Sequence, residues 1–180
     1  GRDQTVRTFS AGLYAQGQWR VADTVKLVGG ARYDRIRTEV DNRATPNSGT
    51  ATQGVASPKA GVVWTPMPLL DLFANTGMGF RSPAATELAP DRTGAAFNHG
   101  LKVAKLRSSD IGATLRPMRG LSFTGSWFTT RTESELRRDP ANPLNVVNVG
   151  ETQRDGYELV LQWAVRPRLS FSASHTAVDT

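Results

Sequence analysis

Residues 70–88, LDLFANTGMGFRSPAATEL, are the stretch from which the rest of the chain is interpreted. The first half alternates, with Leu70 and Leu72 on one phase and Asp71 on the other, which is the period of a half-buried β-strand. Glycines then loosen the strand, and Pro83 ends its ability to donate ladder hydrogen bonds. The stretch therefore predicts a strand that runs out into a long polar loop.

The same alternation recurs on both sides of this stretch, and no segment has a clear helical period. The strand candidates are 7–19, 24–37, 56–65, 70–76, 107–116, 121–132, 146–165 and 169–180. Short connections at 20–23, 66–69, 117–120 and 166–168 alternate with long ones at 38–54, 81–106 and 133–145. Consecutive strands joined in this way predict an antiparallel up-and-down meander rather than a Greek key.

The two phases of these strands differ in chemistry. Trp19, Trp64 and Trp163 lie on the apolar phase, each shortly before a short connection. In a membrane barrel this spacing aligns the three rings at one rim, where amphipathic aromatics meet lipid headgroups. The other phase has too many charges for a dry interior: Gln16, Gln18, Lys26, Arg32, Asp34, Lys59, Asp71, Asn75, Arg116 and Glu158. The pattern favours lipid outside and water inside.

Composition excludes several classes of protein. Hydrophobic residues make up 38% of the 180 residues, and no apolar run is long enough for a transmembrane helix. The net charge of +6 raises nucleic acid as a partner, but the basic residues are scattered and form no helical stripe, so none is expected. Cysteine is absent, which excludes disulfides and thiolate metal sites.

A family resemblance rests on specific residues of this alternating chain. Residues 79–88 resemble the point where a barrel strand of a TonB-dependent outer-membrane receptor enters an extracellular loop; the matching residues are Gly79, Phe80, Arg81, Pro83, Glu87 and Leu88. A second match, similar to the family's Asn-x-Gly…Gly-x-Glu strand, consists of Asn148, Gly150, Gly156 and Glu158. One departure is Leu106-Arg107, where the family usually has a Pro-Glu pair two residues after the leucine.

The resemblance implies an all-β fold in the bacterial outer membrane. We expect a partial transmembrane β-barrel of about eight strands, with short periplasmic turns and long extracellular loops. The family's plug domain, its TonB-contacting segment and its terminal aromatic residue have no counterpart here, so residues 1–180 are interpreted as an internal segment of a larger barrel. Because the two edge strands of such a segment are unpaired, we expect that it does not fold alone in water.

The resemblance also implies energised uptake of a scarce nutrient, with a ferric siderophore as the leading expectation and TonB acting through the missing plug. On that interpretation the ligand-site candidates are Arg81, Arg92, His99, Lys102 and Lys105, because a cationic mouth concentrates an anionic metal complex. The alternative for each is an ordinary solvated loop residue. For Phe80, Arg81 and Glu87 a structural role, fixing the base of the loop, is favoured over ligand contact.

Other functions are weighed against this one. We expect no cofactor, no metal bound directly by the protein and no catalytic residues. The two histidines, His99 and His175, lack partners at ligand spacing, and the serines near His175 lie on the opposite strand phase. A passive porin or small structural outer-membrane barrel is the alternative function, although it leaves residues 79–88 unexplained. A soluble all-β binding module is a third possibility, and it conflicts with the tryptophans at one rim.

Overall fold

The computed structural model of the protein describes residues 4–43, 47–89, 96–143 and 145–179. Strands dominate these ranges, together with one helical turn, α1 (Ala85–Leu88). The strands are β1 (Gln4–Ala22), β2 (Val25–Asn42), β3 (Gly49–Met67), β4 (Leu70–Arg81), β5 (Ala104–Met118), β6 (Leu121–Glu133), β7 (Leu136–Arg138), β8 (Val146–Asn148), β9 (Thr152–Arg166) and β10 (Leu169–Asp179).

Eight of the strands form one antiparallel sheet in the order β1-β2-β3-β4-β5-β6-β9-β10, and β7 pairs with β8 in a separate ribbon. Each strand of the large sheet lies beside its neighbour in the chain, except that β9 follows β6 across the ribbon. This arrangement confirms the predicted all-β meander. Within the described residues the sheet is open, and β1 and β10 are its two edges.

The register brings the apolar phases of neighbouring strands onto one face. Leu13 lies opposite Tyr33, and Ile111 lies opposite Trp127. Within the described strands, irregularities of register occur only beside the short turns, as at Arg20 and Ala22. In one of these turns Gly120 has φ +83°, a left-handed backbone that glycine adopts without strain. We call the apolar side of the sheet the outward face and the other side the inward face.

The predicted boundaries needed correction at the long connections. The strand predicted over 146–165 is in fact two strands, β8 and β9, because the β6–β9 ladder ends where Thr132 pairs with Thr152. The residues before Thr152 have no partner on β6, and 146–148 pair instead with β7, inside the connection predicted as a loop. The connections predicted over 38–54 and 81–106 are also shorter, because β2, β3, β4 and β5 extend into them.

Packing in the described residues is concentrated at the end of the sheet where the long connections lie. A cluster of buried apolar side chains, which we call the loop core, consists of Val40, Leu88, Ala89, Phe97 and Leu101. Ala51, Ala85, Leu136 and Val146 pack against it. The loop core joins β2 and β3 to α1, to the 97–101 segment and to the β7–β8 ribbon. Among the described residues, no helix is both long and apolar enough to cross a membrane.

Candidate functional site

The outward face of the sheet is apolar and uncovered. Leu13 is 80% exposed, Phe9 70% and Ile111 61%, values that do not occur for residues inside a folded core. On β1 the apolar positions run from Phe9 to Trp19, which corresponds to about 33 Å along the strand. At a tilt of about 45° this length covers roughly 23 Å, close to the apolar band of a membrane barrel. The face is therefore suited to contact with lipid.

Polar side chains on the inward face bind one another along the wall. The Nε and one terminal nitrogen of Arg32 each donate a 2.7 Å hydrogen bond to the carboxylate of Asp34. On the side near the short turns, Asp71 accepts hydrogen bonds from Thr65 at 2.7 Å and from Arg116 at 2.6 Å. The carboxylates of Asp34 and Asp71 are therefore each paired with an arginine on the inward face.

Further polar pairs link strands that are not joined by a turn. Lys59 donates to the Gln16 side-chain oxygen at 2.9 Å, across the intervening strand β2. Asn75 donates to Asp110 at 2.9 Å, between β4 and β5. Glu158, a member of the second family match, is exposed on the same inward face, where it lies opposite Ser126 and Thr176. The inward face is thus a hydrogen-bonded polar wall.

All four tryptophans lie on the outward face. Trp19, Trp64 and Trp163 are exposed near the short turns, and Trp163 packs 6.3 Å from the Phe171 ring. Trp127, which is not among the three rim tryptophans predicted from the sequence, lies midway along β6 opposite Tyr157 and is 52% exposed. Its outward phase in β6 was a signal that could have identified it. An aromatic row therefore lines the apolar band at its short-turn end, and Trp127 adds a fourth ring within the band.

The first family match forms the base of the longest connection. Arg81 ends β4 and makes an ion pair with Glu87, whose second carboxylate oxygen accepts a 2.7 Å hydrogen bond from the Ala84 backbone N–H. Pro83 and Leu88 are both buried, and Leu88 is only 1% exposed because it lies within the loop core. These contacts hold the first turn of the connection, α1, against the end of the sheet.

Two other residues of this match have different surroundings. Phe80 lies on the outward phase of β4, opposite Lys105. At Gly79 an added Cβ would meet no atom within 4 Å, so space alone does not require glycine there. The pair Arg81–Glu87 and the buried Leu88 are therefore the parts of the match with clear structural contacts.

Asn148 joins the connection between β4 and β5 to the connection between β6 and β9. Its side-chain oxygen accepts a 2.8 Å hydrogen bond from the Lys102 backbone N–H, and its amide nitrogen donates to the Lys102 carbonyl at 3.0 Å. The same nitrogen donates to the Ser134 carbonyl at 2.8 Å. Asn98 adds a 3.2 Å hydrogen bond to the carbonyl of Val146. The 97–102 segment and the β7–β8 ribbon are thereby fastened together, a contact that spacing in the sequence did not reveal.

The glycines of the second match differ from each other. Gly156 is buried, and a Cβ there would stand 2.6 Å from the Phe128 ring as well as against the Ala177 carbonyl oxygen. Gly150 is exposed with no atom within 4 Å of such a Cβ. Close packing therefore explains the glycine at 156 only.

The predicted ligand residues do not converge on one point. Lys102 is exposed and displayed from the backbone that Asn148 holds, while the His99 ring packs 4.6 Å from Phe97. Arg81 is engaged by Glu87. Lys105 lies inside β5 on the outward phase, opposite Phe80 and Glu133, and so does not share the inward face. Arg92 lies outside the described residues.

A group of charged side chains around Glu135, which no sequence pattern indicated, lies beside the β7–β8 ribbon. Glu135 accepts a 2.9 Å hydrogen bond from the Thr152 hydroxyl and another from Arg154 at 3.3 Å, with Arg137 nearby at 3.5 Å. The Thr152 hydrogen bond and the two arginines outweigh partial desolvation, so the pKa of Glu135 is lowered below the ordinary value of a glutamate. Glu135 therefore stays ionised and anchors the ribbon to β9.

Metal or nucleophilic chemistry would need a suitable cluster of side chains within the described ranges. These ranges contain no group of three or more His, Asp or Glu side chains arranged to hold a metal ion. His175 faces outward, where the Tyr157 hydroxyl lies 3.4 Å from its Nε2, and the serines at 170, 172 and 174 occupy the opposite phase of β10. This arrangement does not form a Ser–His pair.

Comparison with known proteins identifies a family over the whole chain. The family described as "TonB dependent receptor-like, beta-barrel" matches residues 1–180. The metal-pseudopaline receptor CntO of Pseudomonas aeruginosa is 27% identical over 174 residues, which cover 93% of this chain and 23% of that protein. The chain thus spans about a quarter of the length of this curated relative.

Solved structures agree on the fold. The alcaligin outer-membrane receptor FauA of Bordetella pertussis superposes with a TM-score of 0.72 at 18% identity, over 97% of this chain and 30% of that one. The ferripyoverdine receptor of the Pseudomonas aeruginosa outer membrane has a TM-score of 0.74 at 17% identity, over 96% of this chain and 23% of that one. At these identities the likeness concerns the fold alone.

Proposed function

Because this chain belongs to the TonB-dependent receptor-like β-barrel family, we propose that it is one run of hairpins in an outer-membrane transporter that takes up a scarce nutrient as a metal chelate. The family places the chain in the bacterial outer membrane, and its relatives are receptors and transporters rather than enzymes. A ferric siderophore is the proposed ligand. Support comes from the relatives, which include a metal-pseudopaline receptor and an alcaligin receptor.

The proposed orientation follows from the two ends of the sheet. In outer-membrane barrels the short turns are periplasmic and the long connections extracellular. This orientation puts Trp19, Trp64 and Trp163 at the periplasmic interface as a girdle. The loop core and the Asn148 contacts then lie at the extracellular mouth, above the polar inward wall.

The observation that carries the proposal is that the β4–β5 connection and the β6–β9 connection are held together at the end of the sheet where the long connections lie. The loop core packs Leu88 and Phe97 against Val40, an inward-facing residue of β2, and Asn148 fixes the backbone of Lys102. A receptor needs such a preformed mouth because each loop that must be ordered on binding weakens affinity. A passive pore has no comparable need.

Transport supplies the direct test. Cells that produce the complete receptor are given radioactive iron as ferric alcaligin, ferripyoverdine or an iron–pseudopaline complex, in the presence and in the absence of functional TonB. We expect TonB-dependent accumulation from at least one chelate. Uptake that persists without TonB would support the porin alternative, and the absence of uptake from every chelate would contradict the siderophore assignment.

The role of the mouth is tested by a matched pair of lysines. We propose that Lys102, His99 and Arg92 contact the ligand, and Lys102→Gln is compared with Lys105→Gln, which removes the same charge from the outward phase. Since a rim charge acts mainly on association, Lys102→Gln is expected to slow chelate binding about threefold to tenfold at low salt. Equal effects of the two substitutions would contradict ligand contact at Lys102.

A further inference from the structure

A pair of arginines faces outward beyond the apolar band. Arg107 of β5 and Arg131 of β6 are directly opposite each other in the ladder, and both are exposed. They share the strand phase of Ile111 and Trp127, the last apolar cross-strand pair toward the long connections. The pair therefore lies on the side of the sheet that faces lipid, at its extracellular end.

Like charges that are directly opposite on one face of a sheet repel each other. The β-carbons of such a pair are about 5 Å apart, so the two guanidinium groups reach the same region of space. Arg131 uses its Nε to donate a 3.2 Å hydrogen bond to Gln153, which leaves its terminal nitrogens available. Arg107 makes no side-chain hydrogen bond or ion pair with any residue that the structure describes. An anion from outside the protein would reduce the repulsion between the two arginines.

The neighbouring charges do not remove this excess. Lys105 and Glu133 form the next outward pair and balance each other in charge. Asp155 lies on the outward phase of β9, where it accepts a 2.8 Å hydrogen bond from the Gln153 side chain, and it lies opposite Thr129. Asp155 therefore offsets part of the charge of Arg131 and leaves Arg107 as the dominant cation.

The height of the pair identifies the anion. Four residues separate Arg107 from Ile111, which is about 13 Å along the strand and roughly 10 Å along the membrane normal. Leu121 pairs with Trp163 of the row near the short turns, and ten residues separate Leu121 from Arg131, which is about 33 Å along the strand and roughly 23 Å along the membrane normal. That distance matches the height of the apolar band measured on β1, so the guanidinium groups lie at the headgroups, and arginine can lower its head toward them. Arginine matches phosphate oxygens with paired, charge-assisted hydrogen bonds.

We propose that Arg107 and Arg131 together bind a phosphate group of an outer-leaflet lipid, which holds that lipid against the barrel wall. The site is separate from the mouth, because it lies on the outward face of the sheet. It does not depend on which nutrient the receptor transports. The lipid phosphate would relieve the repulsion between the two arginines while the acyl chains cover Ile111 and Trp127.

The test uses the complete receptor in detergent, mixed with bis-phosphorylated lipid A, and counts the lipid molecules retained by native mass spectrometry. Arg107→Gln with Arg131→Gln is compared with Arg119→Gln and Arg168→Gln, which remove two charges from the short turns at the other end. We expect the first double substitution to lower retention about tenfold, as for the loss of charge-assisted hydrogen bonds, and the second to leave it unchanged.

Lipid chemistry provides the second arm of the test. Dephosphorylated lipid A should be retained no better by the unaltered receptor than by the Arg107→Gln, Arg131→Gln variant. The proposal is overturned if that variant retains lipid A as well as the unaltered receptor, or if removal of the phosphates has no effect. Displacement of lipid A by inorganic phosphate at equal concentration would assign the pair to free phosphate and would also overturn the lipid assignment. Circular dichroism verifies that both variants keep their strand content.

Discussion

Replacing Asn148 by alanine tests the contact that fastens the two long connections. The substitution removes three hydrogen bonds, two with the Lys102 backbone and one with the Ser134 carbonyl. Each is worth about 0.5–1.5 kcal/mol net, and the sum lies between about 1.5 and 4.5 kcal/mol. Because the contacts with Lys102 are exposed and water can replace them, we expect the lower half of this range, about 2 kcal/mol.

A loss of this size is expected to make local opening of the two connections easier and to leave the stability of the barrel unchanged. The strand ladders do not involve the Asn148 side chain, so unfolding of the sheet should be unchanged. A cost of about 2 kcal/mol corresponds to an opening equilibrium roughly 30-fold more favourable. Backbone amides of 97–103 and 135–148 should therefore exchange hydrogen about 30-fold faster when opening is fast and reversible.

The assay is hydrogen exchange with mass spectrometry on the complete receptor in detergent. Asn75→Ala is the matched control, because it also removes an asparagine amide hydrogen bond but from the barrel wall, where Asn75 donates to Asp110. Faster exchange confined to the two connections in Asn148→Ala, and absent from Asn75→Ala, is the expected result. Unchanged exchange in 97–103 would refute the idea that Asn148 couples the connections.

Three further predictions concern packing, the lipid face and pH. Gly112→Ala should destabilise the barrel by about 1–3 kcal/mol in denaturant titrations, because its Cβ would lie 2.5 Å from a carbonyl oxygen of the next strand, whereas Gly79→Ala meets open space and should be neutral. Leu13→Arg should cost about 2–4 kcal/mol in a bilayer and Ser10→Arg, on the inward phase, much less; equal costs would contradict the assigned faces. Since folding lowers the pKa of Glu135, its contribution to the ribbon is complete above about pH 4.3, the usual pKa of an unfolded glutamate, and is lost as pH falls through the folded value. Protease cleavage of the ribbon should therefore rise on acidification, and Glu135→Gln should remove that pH dependence.

The sheet was predictable because alternation is a local property of the sequence. The strand phase of residues such as Leu13 and Ile111 can be predicted from their immediate neighbours, and the short turns determine which strands pair. The ends of the strands were less predictable, since β5 begins at Ala104 within a segment that looks like loop. For this reason the sequence predicts Lys105 as a ligand-site residue of the loop, although β5 places it on the outward face.

The contacts of the mouth could not be derived from pattern. Asn148 and Lys102 are 46 residues apart, and their hydrogen bonds depend on the path of two irregular connections. The resemblance to a family marked Asn148 and Glu87 as notable without identifying their partners. Glu135 carried no signal, because an acidic residue in a polar connection is ordinarily solvated and its arginine partners come from two different strands.

The order of the strands in the sheet has a consequence for how the chain assembles. Most strands pair with the strand that precedes them, and where a short turn joins the two strands the closure involves a small separation along the chain and a low entropic cost. Two pairings must wait for a longer intervening segment: β5 with β4 across residues 82–103, and β9 with β6 across a segment that includes the β7–β8 ribbon. Hairpins can therefore join the sheet one at a time from either side. A hairpin that joined with its register shifted by a single residue would turn Arg32 or Asp71 toward lipid, so the bilayer itself would reject misaligned strands during assembly.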